Sequence, residues 1–173
     1  MVTLNLINES GGPHELQVKG NNTIVLQNVM MDEVWICSGQ SNMDGPLSVY
    51  NNYNPEVEAA DVRDIRILDF TDTNKWAECT PITAKDFSTT GFFFGRELYR
   101  DLHVPIGLIE SAVGATNVER WMNPSSIEAD SILSKGDKLF GDPVGDLYNQ
   151  FIAPIIPFAI RGVIWYQGKK MQG

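Results

Sequence analysis

Basic residues are scarce: 13 Lys and Arg stand against 22 Asp and Glu, a formal charge of −9, and the few positive side chains are scattered. Nucleic acids and anionic membrane surfaces demand clustered positive charge, so neither suits this chain, and a neutral or weakly charged substrate fits better. No apolar run approaches the roughly 18 residues that a membrane-spanning helix needs. Met1-Val2-Thr3-Leu4-Asn5 lacks the basic and apolar regions of a signal peptide, so no export signal is read and the compartment stays open. The two cysteines, Cys37 in a predicted strand and Cys79 in a polar connection, make neither a disulfide framework nor a metal site, and no cofactor is expected. Neither a Gly-x-Gly-x-x-Gly nor a Walker pattern occurs, which ranks a nucleotide binder last. Histidine is nearly missing. His14 follows Gly-Gly-Pro and reads as a surface turn residue; His103 follows Asp101 at the end of a predicted helix, where the dipole favours it. Neither reads as a general base.

What is present suits one domain: 173 residues, 43% of them hydrophobic, are enough to bury roughly 70% of the surface the unfolded chain exposes. Residues 1–32 read as short strands, with Leu4, Ile7, Leu16, Val18, Ile24 and Leu26 near alternation and Gly11-Gly12-Pro13 and Gly20-Asn21-Asn22 as turns. Two hairpin strands bury little by themselves, so this segment either packs on the main domain or is the remnant of an upstream β domain, which is the expectation. Residues 33–173 alternate strand and helix signals, which argues for an α/β fold with a parallel sheet. Strands are predicted over 34–38, 65–70, 105–110 and 161–166. A helix is predicted over 88–102, where Gly91, Phe94, Gly95, Leu98 and Leu102 share a face, and another over 146–159, broken by Pro154 and Pro157. The stretch 134–145 reads as a surface excursion; its Asp137 and Asp142, with Asp146 beyond, lack EF-hand spacing, and no metal site is expected.

The chemistry concentrates where strands end. Trp35-Ile36-Cys37-Ser38-Gly39-Gln40-Ser41-Asn42-Met43 is an apolar strand broken by glycine, then a serine between two amides. Open α/β sheets place ligands at this carboxyl edge, which makes Ser41 the candidate nucleophile. The second glycine of the Gly-x-Ser-x-Gly elbow is absent, arguing against an ordinary α/β-hydrolase, and a serine after a strand also serves as a helix cap or turn residue. Two further strands end alike. Ser111-Ala112-Val113-Gly114-Ala115-Thr116-Asn117 offers a glycine whose N–H can approach a bound oxygen, and Gln167-Gly168 sets an amide side chain at a strand end.

Together, the block from Glu33 to Met43, Phe94-Gly95-Arg96-Glu97-Leu98, Pro105-Ile106-Gly107-Leu108-Ile109, Glu119-Arg120-Trp121-Met122 and Gly162-Val163-Ile164-Trp165-Tyr166-Gln167-Gly168 resemble the sialate O-acetylesterases of the SGNH (GDSL-like) hydrolases. The resemblance implies a flavodoxin-like three-layer fold and removal of O-acetyl groups from sugars by the Ser41 hydroxyl. It also implies an oxyanion hole built from the Ser41 N–H, the Gly114 N–H and the Gln167 side-chain amide. Gln40, Asn42, Asn117, Arg120 and Trp121 are candidate substrate contacts, with structural roles as the alternative: ion pairing for Arg120, packing for Trp121, loop orientation for the asparagines. Family members are often exported. The family's C-terminal Asp-x-x-His and its Gln-Gly-Glu-Ser continuation are not found, Gly168-Lys169-Lys170-Met171-Gln172-Gly173 standing in the latter's place. The expectation is a truncated domain with impaired activity, or a non-catalytic sugar-binding fragment. A strand at 161–166 without a further neighbour would leave an apolar edge able to self-associate.

Overall fold

The computed structural model of the protein describes residues 10–50, 53–130 and 144–168. At the start of the described chain, β1 (Gly11–Lys19) and β2 (Thr23–Met31) form an antiparallel hairpin around the turn at 20–22. The expected turn at Gly11-Gly12-Pro13 lies inside β1 instead, and His14 is paired opposite Val29. The register shifts twice around His14, so a bulged strand with no partner on its other side among the described residues absorbs the glycines and proline that signal a turn in sequence. A polar clamp ties the hairpin to the main sheet: the Asn28 amide donates to Glu78 (3.1 Å) and accepts from Arg66 (2.7 Å).

The main sheet contains β3 (Glu33–Gly39), β4 (Val62–Asp69), β5 (Trp76–Cys79), β6 (Ile106–Ala112) and β7 (Gly162–Tyr166), in the order β5-β4-β6-β3-β7. Four strands are parallel, while β5 runs antiparallel to β4. The expected α/β fold is therefore present, with one correction: an edge strand covers what reads as the polar connection around Cys79. Burial of that residue pushes its thiol pKa up to about 12. Side chains alternate between the faces of each strand, so Cys37, Ile67 and Leu108 point to one core and Ile36, Leu68 and Ile109 to the other. No helix among the described residues is long and apolar enough to cross a membrane.

Short helices α1 (Tyr53–Glu58) and α2 (Pro81–Ala84) precede the long helix α3 (Thr89–Leu102). Ser88 caps α3 by accepting from the Gly91 N–H (2.9 Å), and the helix stops where His103 turns left-handed at φ 55°. Gly95 lets α3 lie close on the sheet, because a β-carbon there would stand 2.5 Å from a Leu108 methyl. After β6 and the short α4 (Pro124–Ala129), the segment expected as a helix over 146–159 is not one continuous α-helix. A π-helical turn, Tyr148–Ile152, runs into a 3-10 turn, Ala153–Ile155. Pro154 and Pro157 lack the N–H groups that a continuing α-helix requires. Ile152 and Ile155 nonetheless cover the sheet face opposite α3, completing three layers.

Candidate active site

The chain leaves β3 toward the β4 side of the sheet and leaves β6 toward β7. In open α/β sheets, ligands bind outside the carboxyl ends of the strands. Three strand ends meet there in register, with Gly39 opposite both Ala112 and Tyr166. The Gln40 N–H donates to the Tyr166 carbonyl (3.1 Å) and the Val113 N–H to the Gly39 carbonyl (3.2 Å). Gly39 sits at φ +138°, and a β-carbon on it would meet the Tyr166 oxygen at 2.1 Å, so only glycine fits where the chain turns out of the sheet.

Beyond Gly39 the backbone makes a single helical turn, in which the Met43 and Asp44 N–H groups both donate to the Gln40 carbonyl (2.7 and 2.9 Å). Ser41 and Asn42 are exposed on this turn, while Met43 is buried beneath it. The N-terminus of α3 anchors it: the Ser88 hydroxyl donates to the Met43 carbonyl (2.6 Å), and Thr90 donates to the Asn42 carbonyl (3.0 Å).

Gly114 touches this turn, since a β-carbon on it would stand 3.7 Å from the Ser41 Cβ. Its N–H donates to the Asp44 carboxylate at 2.9 Å. The Gln167 amide donates to the Thr116 carbonyl (2.7 Å), and its Oε1 is buried without a hydrogen-bond partner among the described residues. Thr116 also receives the Trp121 indole N–H (3.0 Å) and donates to the Val113 carbonyl (2.8 Å). Thus Gly114 is bonded to the turn that carries Ser41, and Gln167 is bonded to the loop that carries Gly114.

The other sequence-predicted contacts divide. Gln40 is buried, with its amide nitrogen packed against Gly168, where a β-carbon would lie 2.6 Å away. Asn117 is buried, and its carbonyl accepts from the Arg120 N–H (3.3 Å). Arg120 grips Asp146 with Nε and Nη2 (2.9 and 2.5 Å), and this pairing holds the Asp146 carboxyl below its ordinary range. Trp121 is buried in edge-on contact with Trp165 and tilted against Phe151, so it packs within the protein. Asn42 remains the exposed neighbour of Ser41. Asp137 and Asp142 lie outside the described residues.

Both histidines are remote. The 14 residues of α3 span roughly 20 Å, and His103 caps the end opposite the one that anchors the Ser41 turn. His14 lies in the hairpin, which packs near the amino ends of the strands around a cavity of about 350 Å³ lined by Leu26, Trp76 and Ile106.

Sequence reasoning missed two carboxylates at this edge. Asp44 is raised above its ordinary pKa chiefly by burial, then by Asp69, while the Gly114 N–H pulls it down. Glu110, only 4% exposed, accepts from the Ser88 N–H (2.8 Å). Burial pushes its carboxyl to about 8, with further upward contributions from Asp69 and Asp44. Asp44 was discoverable in principle, since a residue three places after Ser41 returns to the same face of a helical turn.

A three-layer α/β sheet presenting a serine and a neighbouring glycine loop at its carboxyl edge fits the ester hydrolases. Residues 31–171 match the family described as carbohydrate esterase, sialic acid-specific acetylesterase, and the chain belongs to this family. It is similar to the sialate O-acetylesterase of Homo sapiens, at 31% identity over 92% of this chain and 36% of that protein. Its similarity to the sialate O-acetylesterase of Mus musculus is 27%, over 92% of this chain and 40% of the relative. The chain therefore spans well under half the length of these curated relatives. A crystal structure of a carbohydrate acetylesterase from Xanthomonas citri superposes with a TM-score of 0.82 at 32% identity, covering 93% of this chain and 38% of that one.

Proposed function

We propose that this chain carries the nucleophile and oxyanion groups of an SGNH-type esterase that removes O-acetyl groups from sugars, in the manner of a sialate 9-O-acetylesterase. The Ser41 oxygen bonds to the acetyl carbon and the sugar oxygen departs with a proton. Water then releases acetate from the acyl-enzyme. The Ser41 N–H, the Gly114 N–H and the Gln167 amide are the donors for the transient oxyanion. The observation that carries this reading is the bond of the Gly114 N–H to Asp44 in the exposed turn that carries Ser41 at the carboxyl edge, with Gln167 bonded to the same loop as Gly114. Asn42, exposed beside Ser41, is the first candidate to meet the sugar. Gln40, Asn117, Arg120 and Trp121 support the site from behind.

Both histidines of the described chain lie away from Ser41, and a second reading is a sugar-binding role without hydrolysis. Oxyanion stabilisation and binding without a complete triad leave roughly 10³–10⁴-fold acceleration over water. Hydrolysis of an aryl acetate by the purified chain is therefore expected to be slow and dependent on Ser41. Equal rates for the chain and its Ser41→Ala variant reject the esterase reading and favour the sugar-binding one.

Residues 1–32 are read, from the resemblance to the family, as the tail of an upstream β-sandwich, and β7 as a surface for self-association. β7 is the last strand on its side of the sheet among the described residues, and Val163, Trp165 and Tyr166 are 50%, 42% and 47% exposed. Unpaired backbone groups beside such side chains are a template for a strand of a second copy.

A further inference from the structure

Gly114 lies beside the turn that carries Ser41, yet its N–H already holds an oxygen. That oxygen is Oδ2 of Asp44, at 2.9 Å, and it would stand 3.2 Å from a β-carbon on Gly114. The same imagined carbon would lie 3.7 Å from Ser41 Cβ and 3.8 Å from Ser41 Cα. The nucleophile and the carboxylate therefore flank the same glycine. Asp44 is tethered in place, because its own N–H closes the turn on the Gln40 carbonyl (2.9 Å). A negatively charged oxygen on a backbone N–H is also what an oxyanion would be in the transition state.

We infer that Asp44 is the resting occupant of the oxyanion site, holding the Gly114 N–H until an acyl oxygen replaces it. The inference rests on the assignment of Gly114 as an oxyanion donor in the proposed function, and it makes Asp44 a positioning residue that acts through Gly114. In the resting state the carboxylate satisfies the donor and pins the 113–117 loop to the Ser41 turn. During turnover it must swing away or give up its charge. The surroundings ease that release: Asp69 at the end of β4 is an acidic neighbour that disfavours a charged Asp44.

The occupancy is tested without relying on turnover, using acetate, the acid product of the proposed reaction, as the probe. In ¹⁵N-resolved spectra of the purified chain, the Gly114 amide resonance is expected to titrate with Asp44, with a midpoint above that of an ordinary aspartate because burial raises its carboxyl. It should move upfield in Asp44→Ala, where the charged acceptor is lost. Acetate, followed by the shift of the same resonance, should bind Asp44→Ala on the order of 10-fold or more tightly than the parent chain, the factor expected for releasing one charge-assisted hydrogen bond. Asp44→Asn keeps an acceptor oxygen without the charge, and should fall between the two. An unmoved Gly114 resonance in Asp44→Ala, or no tightening of acetate there, overturns the inference. Tightening in Asp44→Asn equal to that in Asp44→Ala also overturns it, because loss of like charge would then explain the gain. Failure of the esterase reading is seen separately, as equal aryl acetate hydrolysis by the parent chain and Ser41→Ala.

Discussion

Replacing Glu110 by glutamine should stabilise the protein at neutral and alkaline pH and do little in acid. The carboxyl lies beneath the Ser41 turn, where burial raises its pKa from 4.5 to about 8. Below about pH 4.5 it is protonated in both folded and unfolded chains, and its contribution to stability is fully present. Between about 4.5 and 8 the unfolded chain ionises while the folded chain keeps its proton, so stability falls by roughly 1.4 kcal/mol per pH unit. Above about pH 8 the loss is complete, on the order of 3–5 kcal/mol. Glutamine keeps the shape and an acceptor for the Ser88 N–H, now met at 2.8 Å, but does not titrate. Urea unfolding of both proteins from pH 4.5 to 8.5 measures the difference. The gap should widen steadily with pH, and its slope is diagnostic whatever constant offset the substitution adds. Parallel stability profiles across this window would refute the reasoning, showing that the folded protein ionises Glu110 as readily as the unfolded chain does.

Gly39→Ala should cost at least about 3 kcal/mol in urea unfolding, because alanine is strained at this positive φ and its methyl collides with a backbone oxygen; a cost below about 1 kcal/mol would contradict the close approach to Tyr166. A Val163→Lys change on the exposed edge should shift the chain toward monomer in light scattering at high concentration, and a parent chain that is already monomeric there removes β7 as an association surface.

The parts of the fold most legible in sequence were those where local and tertiary signals agree. Val34 to Ser38 reads as a buried strand because it is one, and the face shared by Gly91, Phe94, Gly95, Leu98 and Leu102 marks α3. β5 escaped notice because four residues, Trp76 to Cys79, alternate too briefly to stand out, and an edge strand is defined by the neighbour it joins. Around 146–159, apolar spacing suggested a helix, but the prolines decided the backbone while the isoleucines still found the core. Within the site, strand ends carrying glycine pointed to Ser41, Gly114 and Gln167. The pairing of Arg120 with Asp146 spans 26 residues, and no local pattern reveals it.

Ser88 ties together three things that need not have been joined. Its N–H meets Glu110 of β6, and its hydroxyl accepts from Gly91 of α3 while donating to Met43 under the Ser41 turn. Local opening of that turn must therefore break a helix cap and strip a buried carboxyl of a donor in the same event. Most active-site loops belong to the weakly held parts of a protein, exchanging their amide hydrogens by small fluctuations. Here the serine is carried by a segment whose release is coupled to the centre of the sheet, so it should persist until the fold itself comes apart.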